Sequence, residues 1–362
     1  MWPPPGEAII EAVKAHARRV SELGEFALIA RLQEELGDQR EALAMQAAGS
    51  RLLLGIGDDA AVWVSAAPAQ IATTDTLVEG IHFPPGVPWS DLGWKSLAIN
   101  VSDVAAMGGT PEYALITLAL PGGFQVEDAL DLYRGLAEAG RHFGVVVAGG
   151  DVVRAPQFTV TVALSGRPSM ADDGTPLLLR RDGARPGDAV AVSGHLGDSA
   201  GGLRLLTSSV DCPPETAERL RRAHLRPDPP VELGRAAVAA GLRCAIDVSD
   251  GLAQDLGHVC ELSGLGAIVH ADRLPVSDDL RRAFPEEATA LAAAGGEDYE
   301  LLLTGPAATL EELRRQVKVP LTIIGEMVSE EPHRPRILDG RGREIALAEA
   351  GWDHFASRGR RR

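Results

Sequence analysis

The sequence predicts an α/β protein built from two domains. The chain has 362 residues, which is too long for one ordinary core and suits two domains of roughly 150–200 residues each. Its 40 glycines and its aromatic content of only 4% are typical of many tight turns between strands and helices. Short apolar runs with strand character also alternate with longer stretches of helical spacing, which is the pattern of an α/β chain.

The elements are predicted in the following order. Helices are expected over residues 7–20 and from residue 24 to about residue 36, followed by strands over residues 70–74, 113–118, 145–148 and 158–164. A stretch rich in Pro, Gly, Asp and Arg then separates this half from a second series of strands over residues 189–193, 244–247, 267–270, 299–303 and 321–324. The predicted organisation is an N-terminal extension (1–23), a first domain (24–168), an interdomain segment (169–187), a second domain (188–356) and a basic tail (357–362).

Composition and charge exclude several classes of protein. The formal net charge of −16 argues against sequence-independent binding to nucleic acid or to anionic lipid. No apolar run reaches the roughly 20 residues of a membrane-spanning helix, and the first residues lack the pattern of a signal peptide. The 3 cysteines form no Cys-x-x-Cys pair, which disfavours a disulfide framework and a thiolate zinc site and indicates the cytosol. No lysine has the glycine spacing of a P-loop.

One helix is predicted in detail over residues 94–107. Its apolar residues follow the i, i+3, i+4, i+7 spacing of a buried face. Ser96, Asn100 and Asp103 form a separate stripe, roughly 130° from the middle of that face. We therefore expect Asp103 to point outward from a helix that is anchored on its other side.

Carboxylates recur where predicted strands end or where glycine turns adjoin them. Ligands of open α/β sheets sit at the carboxyl ends of strands, and many oxygen donors together suit Mg²⁺. Each acid also has a simpler interpretation as a helix N-cap or a turn residue. The acids in such positions are Asp58, Asp59, Asp75, Asp151, Asp247, Asp250 and Glu297.

A glycine-rich stretch over residues 193–202 follows a predicted strand and enters a predicted helix. Its backbone amides are suited to cradling a phosphate. The same glycines also fit a turn followed by close helix packing, and the sequence leaves both interpretations open.

Taken in order, these motifs resemble the thiamine-monophosphate kinase family from about residue 24 to residue 355. The resemblance is specific, because strand-end acids alone would indicate only the wider superfamily of aminoimidazole ribonucleotide synthetase. The motifs that carry it are Gly55-Ile56-Gly57-Asp58-Asp59, Thr74-Asp75-Thr76-Leu77-Val78-Glu79-Gly80-Ile81-His82-Phe83, Val101-Ser102-Asp103-Val104-Ala105-Ala106-Met107-Gly108, Gly149-Gly150-Asp151, Ala245-Ile246-Asp247-Val248-Ser249-Asp250-Gly251-Leu252, Gly295-Gly296-Glu297-Asp298-Tyr299-Glu300 and Gly351-Trp352-Asp353-His354-Phe355.

The resemblance implies a fold, an activity and a set of site residues. The fold is the two-domain aminoimidazole ribonucleotide synthetase-like α/β fold, with mixed sheets covered by helices and a homodimer paired through the N-terminal sheets. The activity is phosphorylation of thiamine monophosphate by ATP, with several Mg²⁺ ions, to give thiamine diphosphate. The implied Mg²⁺ ligands are Asp59, Thr73, Thr74, Asp75, Asp103, Asp151, Asp247 and Asp250; the implied ATP contacts are Tyr133, Gly150, Asp151, Arg181 and Ser249; the implied substrate contacts are His82, Glu297 and Trp352.

No catalytic base is expected, because the accepting group is a phosphate monoester whose second pKa lies near 6. Two other functions remain open at this point. One is a noncatalytic sensor of nucleotide or thiamine phosphate, against which an intact set of metal residues argues. The other is a sister ATP-dependent ligase of the superfamily, against which the residue 295–300 and 351–355 motifs argue. Structural roles for His82, Arg181 and Trp352, as packing or solvated residues, also remain open.

Overall fold

The computed structural model describes residues 19–37, 39, 49–56, 60–329 and 333–345. The chain divides into two compact units, unit 1 (residues 1–104 and 110–168) and unit 2 (residues 105–109 and 169–362). The predicted helix over residues 7–20 lies outside the described residues except at its very end, and the basic tail lies wholly outside them. No helix in the described part of the chain is long and apolar enough to cross a membrane.

The described residues form eleven α-helices, one short 3₁₀ helix and fourteen strands. The helices are α1 Val20–Leu23, α2 Glu25–Leu36, α3 Trp89–Ala106, α4 Val126–Phe143, α5 Asp198–Thr207, α6 Pro214–Leu225, α7 Val231–Ala239, α8 Leu252–Ser263, α9 Asp278–Ala283, α10 Ala288–Ala294 and α11 Ala307–Gln316, with the 3₁₀ helix at Ala271–Arg273. The strands are β1 Arg51–Leu54, β2 Val62–Val64, β3 Ile71–Val78, β4 Thr110–Leu120, β5 Val146–Arg154, β6 Thr159–Arg167, β7 Ser169–Met170, β8 Pro176–Leu177, β9 Ala189–Ser193, β10 Cys244–Asp247, β11 Gly266–His270, β12 Leu301–Gly305, β13 Leu321–Val328 and β14 Pro335–Leu338.

Unit 1 is built on a four-stranded mixed sheet in the order β3-β6-β4-β5. β4 and β5 run parallel, whereas β6 is antiparallel to both of its neighbours. One face of the sheet is buried, as Ile116 and Val162 show with no exposed surface. Helices α3 and α4 touch backbone to backbone, because a Cβ on Gly93 would overlap the carbonyl oxygen of Leu132. Only glycine permits this close approach.

Helix α3 is more deeply buried than its amphipathic spacing predicts. Every residue from Leu92 to Ala106 is buried except Asp103, which keeps partial solvent access. The prediction that Ser96 and Asn100 share an outward stripe is therefore wrong, since both are buried. Ser96 Oγ donates to a main-chain carbonyl one turn back, and the Asn100 amide donates to the carbonyl of Ser96. These bonds within the helix let two small polar side chains enter the core.

Two predicted strand ends are also wrong. Asp75 does not close a strand, because β3 continues to Val78, and Asp151 lies inside β5, which continues to Arg154. Each strand is prolonged by residues of high strand propensity, such as Thr76 after Asp75 and Val152 after Asp151. These two acids are therefore held by strands rather than by loops.

Unit 2 contains a six-stranded mixed sheet in the order β10-β12-β9-β13-β11-β14. β11 and β14 are parallel, and the other pairs are antiparallel. Its core is a large apolar cluster on one side, with Val192, Ile246 and Leu302 at its centre, and a second cluster that includes Ala191 and Leu303. These neighbours in sequence alternate between the two clusters, so the sheet is buried on both faces.

Strands β9 and β10 confirm the predicted bounds, and Asp247 ends its strand as predicted. β12 begins at Leu301 rather than at residue 299. The reason is local, since Glu297 and Tyr299 have φ values of 67° and 53°, which a strand does not accommodate.

Candidate functional site

In unit 1, strand β3 and helix α3 bring three of the predicted metal ligands together. Thr73 Oγ1 donates a hydrogen bond of 2.5 Å to Asp103 Oδ2. Asp75 lies two residues further along β3, so its side chain leaves the same face as Thr73. Burial, and after it the charge of Asp103, raises the pKa of Asp75 to about 6. The cluster therefore holds two carboxylates that repel each other when both are ionised.

Residues that pair directly across neighbouring strands form a row, and their side chains leave the same face of the sheet. Thr74 and Asp151 belong to different rows from Asp75. Asp75 pairs with Val162, in the row that continues to Gly150 on β5. Thr74 and Asp151 are exposed and belong to the adjacent rows, whose side chains leave the other face. The Thr74 hydroxyl donates to the carbonyl of Val162 at 3.1 Å. The structure thus gathers Thr73, Asp75 and Asp103 and holds Thr74 and Asp151 on the opposite side of the sheet.

The remaining predicted contacts of unit 1 have distinct environments. A Cβ on Gly150 would overlap the carbonyl oxygen of Ile116 on β4, so this position requires glycine. His82 Nδ1 accepts a hydrogen bond of 2.9 Å from the main-chain N–H of Val78, which leaves Nε2 to carry the ring proton. Tyr133 is buried in α4, and this burial raises its pKa.

In unit 2, the turn that follows β10 carries Asp247, Ser249 and Asp250. Asp247 is buried, whereas Ser249 and Asp250 keep partial solvent access. Asp250 Oδ2 accepts from the Gln254 amide at 3.0 Å. Burial raises the pKa of Asp255, one helical turn onward, to about 8, and the charges of Asp247 and Asp250 add to this shift. The turn is thus another concentration of carboxylates.

The segment that precedes β12 pairs with this turn through its main chain. Glu297 N donates to Ser249 O at 2.7 Å, and Tyr299 N donates to Val248 O at 2.8 Å. Both donating residues hold positive φ values, a strained conformation for residues other than glycine. The Glu297 carboxylate lies 3.6 Å from Nδ1 of the buried His224. Backbone strain of this kind clusters at functional sites.

Two main-chain amides of the glycine-rich stretch are occupied by a carboxylate of this chain. Asp298 Oδ2 accepts from Gly197 N at 2.6 Å, and Asp298 Oδ1 accepts from Ser199 N at 3.1 Å. A Cβ on Gly202 would overlap the carbonyl oxygen of Leu220 in α6. Of the two interpretations left open by the sequence, the turn with close helix packing is confirmed.

Arg181 lies in the segment between β8 and β9. Its carbonyl oxygen accepts from the Ser263 hydroxyl at 3.2 Å, and the residue is exposed. The neighbouring Arg180, in contrast, pairs with Asp182. Asp58, Asp59, Trp352 and His354 lie outside the described residues.

The donors gathered in both units are oxygen atoms of carboxylates and hydroxyls. This chemistry fits Mg²⁺ rather than a softer metal. In the described part of the chain, no group of three or more His, Cys, Asp or Glu side chains is arranged to hold a metal ion. The unit 1 cluster consists of two carboxylates and one hydroxyl, and the repulsion between its carboxylates is what a bound cation would relieve.

Sequence reasoning missed two residues that shape the unit 2 site. Asp255 and Asp298 both accept hydrogen bonds from main-chain amides of glycine-containing turns. Asp298 stands within a quoted motif but received no role, and Asp255 lies four residues beyond a glycine that precedes a helix. The sequence signal for such a residue is an acid that follows a glycine by about one helical turn at the start of a predicted helix, as Asp255 follows Gly251.

Comparison with known proteins places the chain in a family. Residues 57–167 match the N-terminal domain model of AIR synthase related proteins, and residues 185–337 match the C-terminal domain model. Thiamine-monophosphate kinase of Escherichia coli K12 is 37% identical over 342 residues, which cover 92% of this chain and 99% of that protein.

Solved structures agree with this match. The crystal structure of thiamine-monophosphate kinase from Stenotrophomonas maltophilia K279a superposes with a TM-score of 0.74 at 35% identity and covers 89% of this chain and 98% of that one. The structure of AaThiL complexed with AMPPCP and TMP gives a TM-score of 0.70 at 30% identity, covering 94% and 100% of the two chains. The chain therefore belongs to the thiamine-monophosphate kinase family.

Proposed function

We propose that this chain transfers the γ-phosphate of ATP to the phosphate of thiamine monophosphate and so forms thiamine diphosphate. The observation that carries this proposal is the match to the Escherichia coli K12 thiamine-monophosphate kinase at 37% identity, over 92% of this chain and 99% of that protein. The relative complexed with AMPPCP and TMP supports ATP and thiamine monophosphate as the two reactants. The product is a diphosphate because the acceptor is itself a phosphate.

The chief obstacle to this reaction is electrostatic. Both reactants are anionic, and the acceptor phosphate is largely deprotonated at neutral pH because its second pKa lies near 6. The acceptor oxygen needs no general base, so the task of the protein is to position two anions in line and to compensate their charge. Bound Mg²⁺ would supply that compensation. This is consistent with a site made mainly of carboxylates.

In unit 1, Asp75 and Asp103 are the residues proposed to hold the metal, with Thr73 orienting Asp103 through its hydroxyl. The hydrogen bond from Thr73 fixes the orientation of the Asp103 carboxylate beside Asp75. Strand β3 and helix α3 bring the two carboxylates together in a partly buried place. Because few water molecules solvate them there, ionisation of both is unfavourable without a cation. Asp59, Thr74 and Asp151 remain proposed ligands on the family resemblance alone.

In unit 2, the turn after β10 is the proposed partner of the nucleotide. Asp247 and Asp250 are its proposed metal ligands. Ser249 uses its main-chain N–H and C=O within the protein, so its hydroxyl is the group with which it would contact ATP. Gly150, Tyr133 and the exposed Arg181 are further proposed ATP contacts, and burial of Tyr133 limits the surface it could offer.

Substrate recognition is assigned to His82, Glu297 and Trp352. The Val78 amide donates to Nδ1 of His82, which makes Nε2 the protonated nitrogen and the proposed donor to a phosphate oxygen. Glu297 is held by its strained backbone and carries a charge suited to the cationic thiazolium ring. Trp352 would offer a ring face to the same cation.

The exposed face of the unit 1 sheet is the proposed contact with a second copy of this chain. Thr74, Ala163, Leu115 and Gly149 form one row across that face. Two apolar side chains are exposed on that face, Leu115 at 38% and Val153 at 43%. We therefore propose a homodimer, located in the cytosol, and sedimentation of the purified chain as a monomer at micromolar concentration would contradict it.

The direct experiment is to incubate the purified chain with ATP, Mg²⁺ and thiamine monophosphate and to identify the products. Thiamine diphosphate and ADP in equal amounts are expected. Release of orthophosphate without thiamine diphosphate would favour a sister ligase, and binding without turnover would favour a sensor. The variant Asp103→Asn should abolish turnover, whereas Asp211→Asn, which alters an exposed acid in a loop of unit 2, serves as the matched control.

A further inference from the structure

The turn between β10 and α8 is closed by a single carboxylate oxygen. Oδ2 of Asp255 accepts hydrogen bonds from the main-chain N–H groups of Ser249 at 3.1 Å, Asp250 at 3.1 Å and Gly251 at 3.0 Å. Asp255 is 2% exposed. Three consecutive amides therefore converge on one buried acceptor, and they fix the backbone conformation of the turn.

This arrangement differs from ordinary capping of a helix. An N-cap side chain accepts from amides inside the first turn of its own helix. Here the N-cap is Gly251, with a φ of 113° and no side chain to cap with. The carboxylate belongs to the fourth residue of α8 and reaches backward to amides that precede the helix. Its hydrogen bonds thus shape the turn rather than the helix.

The other side of the same turn is held by the segment before β12. Val248 N donates to Glu300 O at 2.8 Å, and Ser249 O accepts from Glu297 N at 2.7 Å. The main chain from Val248 to Gly251 is therefore bonded on both sides. The side chains of Ser249 and Asp250 remain partly exposed, so the rigid turn presents them and uses its own backbone groups internally.

We propose that Asp255 is a positioning residue that holds the turn of Ser249, Asp250 and Gly251 in the conformation that binds Mg²⁺ and nucleotide, without contacting either. This inference rests on the proposed role of Asp247, Ser249 and Asp250. It assigns to Asp255 the function of an outer-shell partner, whose loss typically lowers metal affinity or activity about 10–100-fold.

Two substitutions separate positioning from charge. Asp255→Asn removes the ionisable carboxyl group but keeps an oxygen acceptor at nearly the same place. Asp255→Glu keeps an ionisable carboxyl group and displaces the acceptor by one methylene. Positioning predicts that the Asn variant keeps its Mg²⁺ affinity and kcat within about threefold, whereas the Glu variant loses about 10-fold or more. The reverse order would mean that the charge itself matters, and it would overturn the proposal.

Hydrogen exchange of the ligand-free protein gives a readout that does not depend on activity. The amides of Ser249, Asp250 and Gly251 should be protected in the wild type and in Asp255→Asn, and should exchange at least about 10-fold faster in Asp255→Glu and Asp255→Ala. Unchanged exchange in both of the latter variants would overturn the proposal. If Asp255→Ala does not fold, the comparison of Asn with Glu still decides.

The matched control is Asp339→Ala. Asp339 Oδ1 also accepts from two main-chain amides of a turn, those of Arg341 and Arg343, each at 2.9 Å. That turn follows β14, at the opposite edge of the sheet from β10. The control should leave exchange at residues 249–251 and Mg²⁺ affinity unchanged. If Mg²⁺ binds nowhere in the wild type while exchange still depends on Asp255, the proposed function fails and the positioning of the turn stands.

Discussion

Replacing Asp75 with Asn should stabilise the metal-free protein and weaken its stabilisation by Mg²⁺. In the wild type, burial and the charge of Asp103 raise the pKa of Asp75 from 3.8 to about 6. A carboxyl group with a raised pKa stabilises the fold while it is protonated, below about pH 4. That contribution is lost as the pH rises through about 6.

The size of the effect follows from the shift. A rise from 3.8 to about 6 corresponds to about 3 kcal/mol at a pH above both values. Asp75 keeps partial solvent access, and screening reduces the expected gain from the Asn variant to about 1–2 kcal/mol at about pH 8. At about pH 4 the two proteins should be nearly equal in stability, because the Asp is then mostly protonated.

The assay is urea denaturation at both pH values, in EDTA and in saturating Mg²⁺. Mg²⁺ at about 100 times its dissociation constant should stabilise the wild type by about 2.7 kcal/mol and the Asn variant far less. Asp211→Asn, which changes an exposed loop acid, controls for the change in net charge. The reasoning is refuted if the Asn variant gains nothing in EDTA at about pH 8, or if Mg²⁺ stabilises both proteins equally.

Three other changes test separate parts of the structure. Burial raises the pKa of Glu300 from 4.5 to about 7, so the wild type loses stability as this group ionises between those pH values. Glu300→Gln should therefore reduce the fall in unfolding free energy between about pH 4.5 and 7. If urea titrations show the same fall for the variant as for the wild type, this reasoning is contradicted. His82→Asn should raise the KM for thiamine monophosphate about 10- to 150-fold through loss of one hydrogen bond to a charged group, with an unchanged kcat–pH profile. Loss of the acid limb of that profile would instead make His82 a proton-transferring residue. Gly150→Ala should destabilise unit 1 by about 1–3 kcal/mol, since its Cβ would overlap the main chain of β4. Gly149→Ala is the matched control, because its Cβ would meet only the flexible end of a side chain at 3.3 Å, and equal melting temperatures for the two variants would refute the argument.

Strands buried on both faces are the elements that the sequence predicts best. β9 and β10 are short apolar runs that are buried along their whole length. Side chains on both faces of these strands are buried, so an apolar run alone marks where each strand begins and ends, and the observed bounds agree with the prediction. β3 and β5 extend beyond their predicted limits, because the pattern of glycines and acids predicts strand ends at Asp75 and Asp151 and both acids lie within strands. Asp75 stands mid-strand beside Asp103, which contacts β3 from α3 and adds to the rise that burial causes in the pKa of Asp75. This tertiary proximity has no local signature in the sequence.

The candidate site was predictable only as a set of residue types. No local spacing predicts that Asp103 contacts β3. Asp103 lies near the end of α3, well beyond the end of β3 at Val78. The positive φ values at Glu297 and Tyr299 are equally invisible, because neither residue type favours them. The roles of Asp255 and Asp298 depend on hydrogen bonds to backbone amides, for which the sequence offers only the weak signal of an acid shortly after a glycine turn.

The carboxylates of Asp255 and Asp298 occupy turn amides that a free anion would otherwise find. Each is tethered to the same chain, so its effective concentration at those amides is in the millimolar range or above. Phosphate, nucleotide and diphosphate in solution must compete with that tethered carboxylate for the same amides. Displacing it would exchange one set of hydrogen bonds for another, with no net gain in binding free energy. The turns therefore keep one conformation as the concentrations of the reactants and the product vary. Inhibition by excess substrate or by salt would then have to arise at the cation-binding residues.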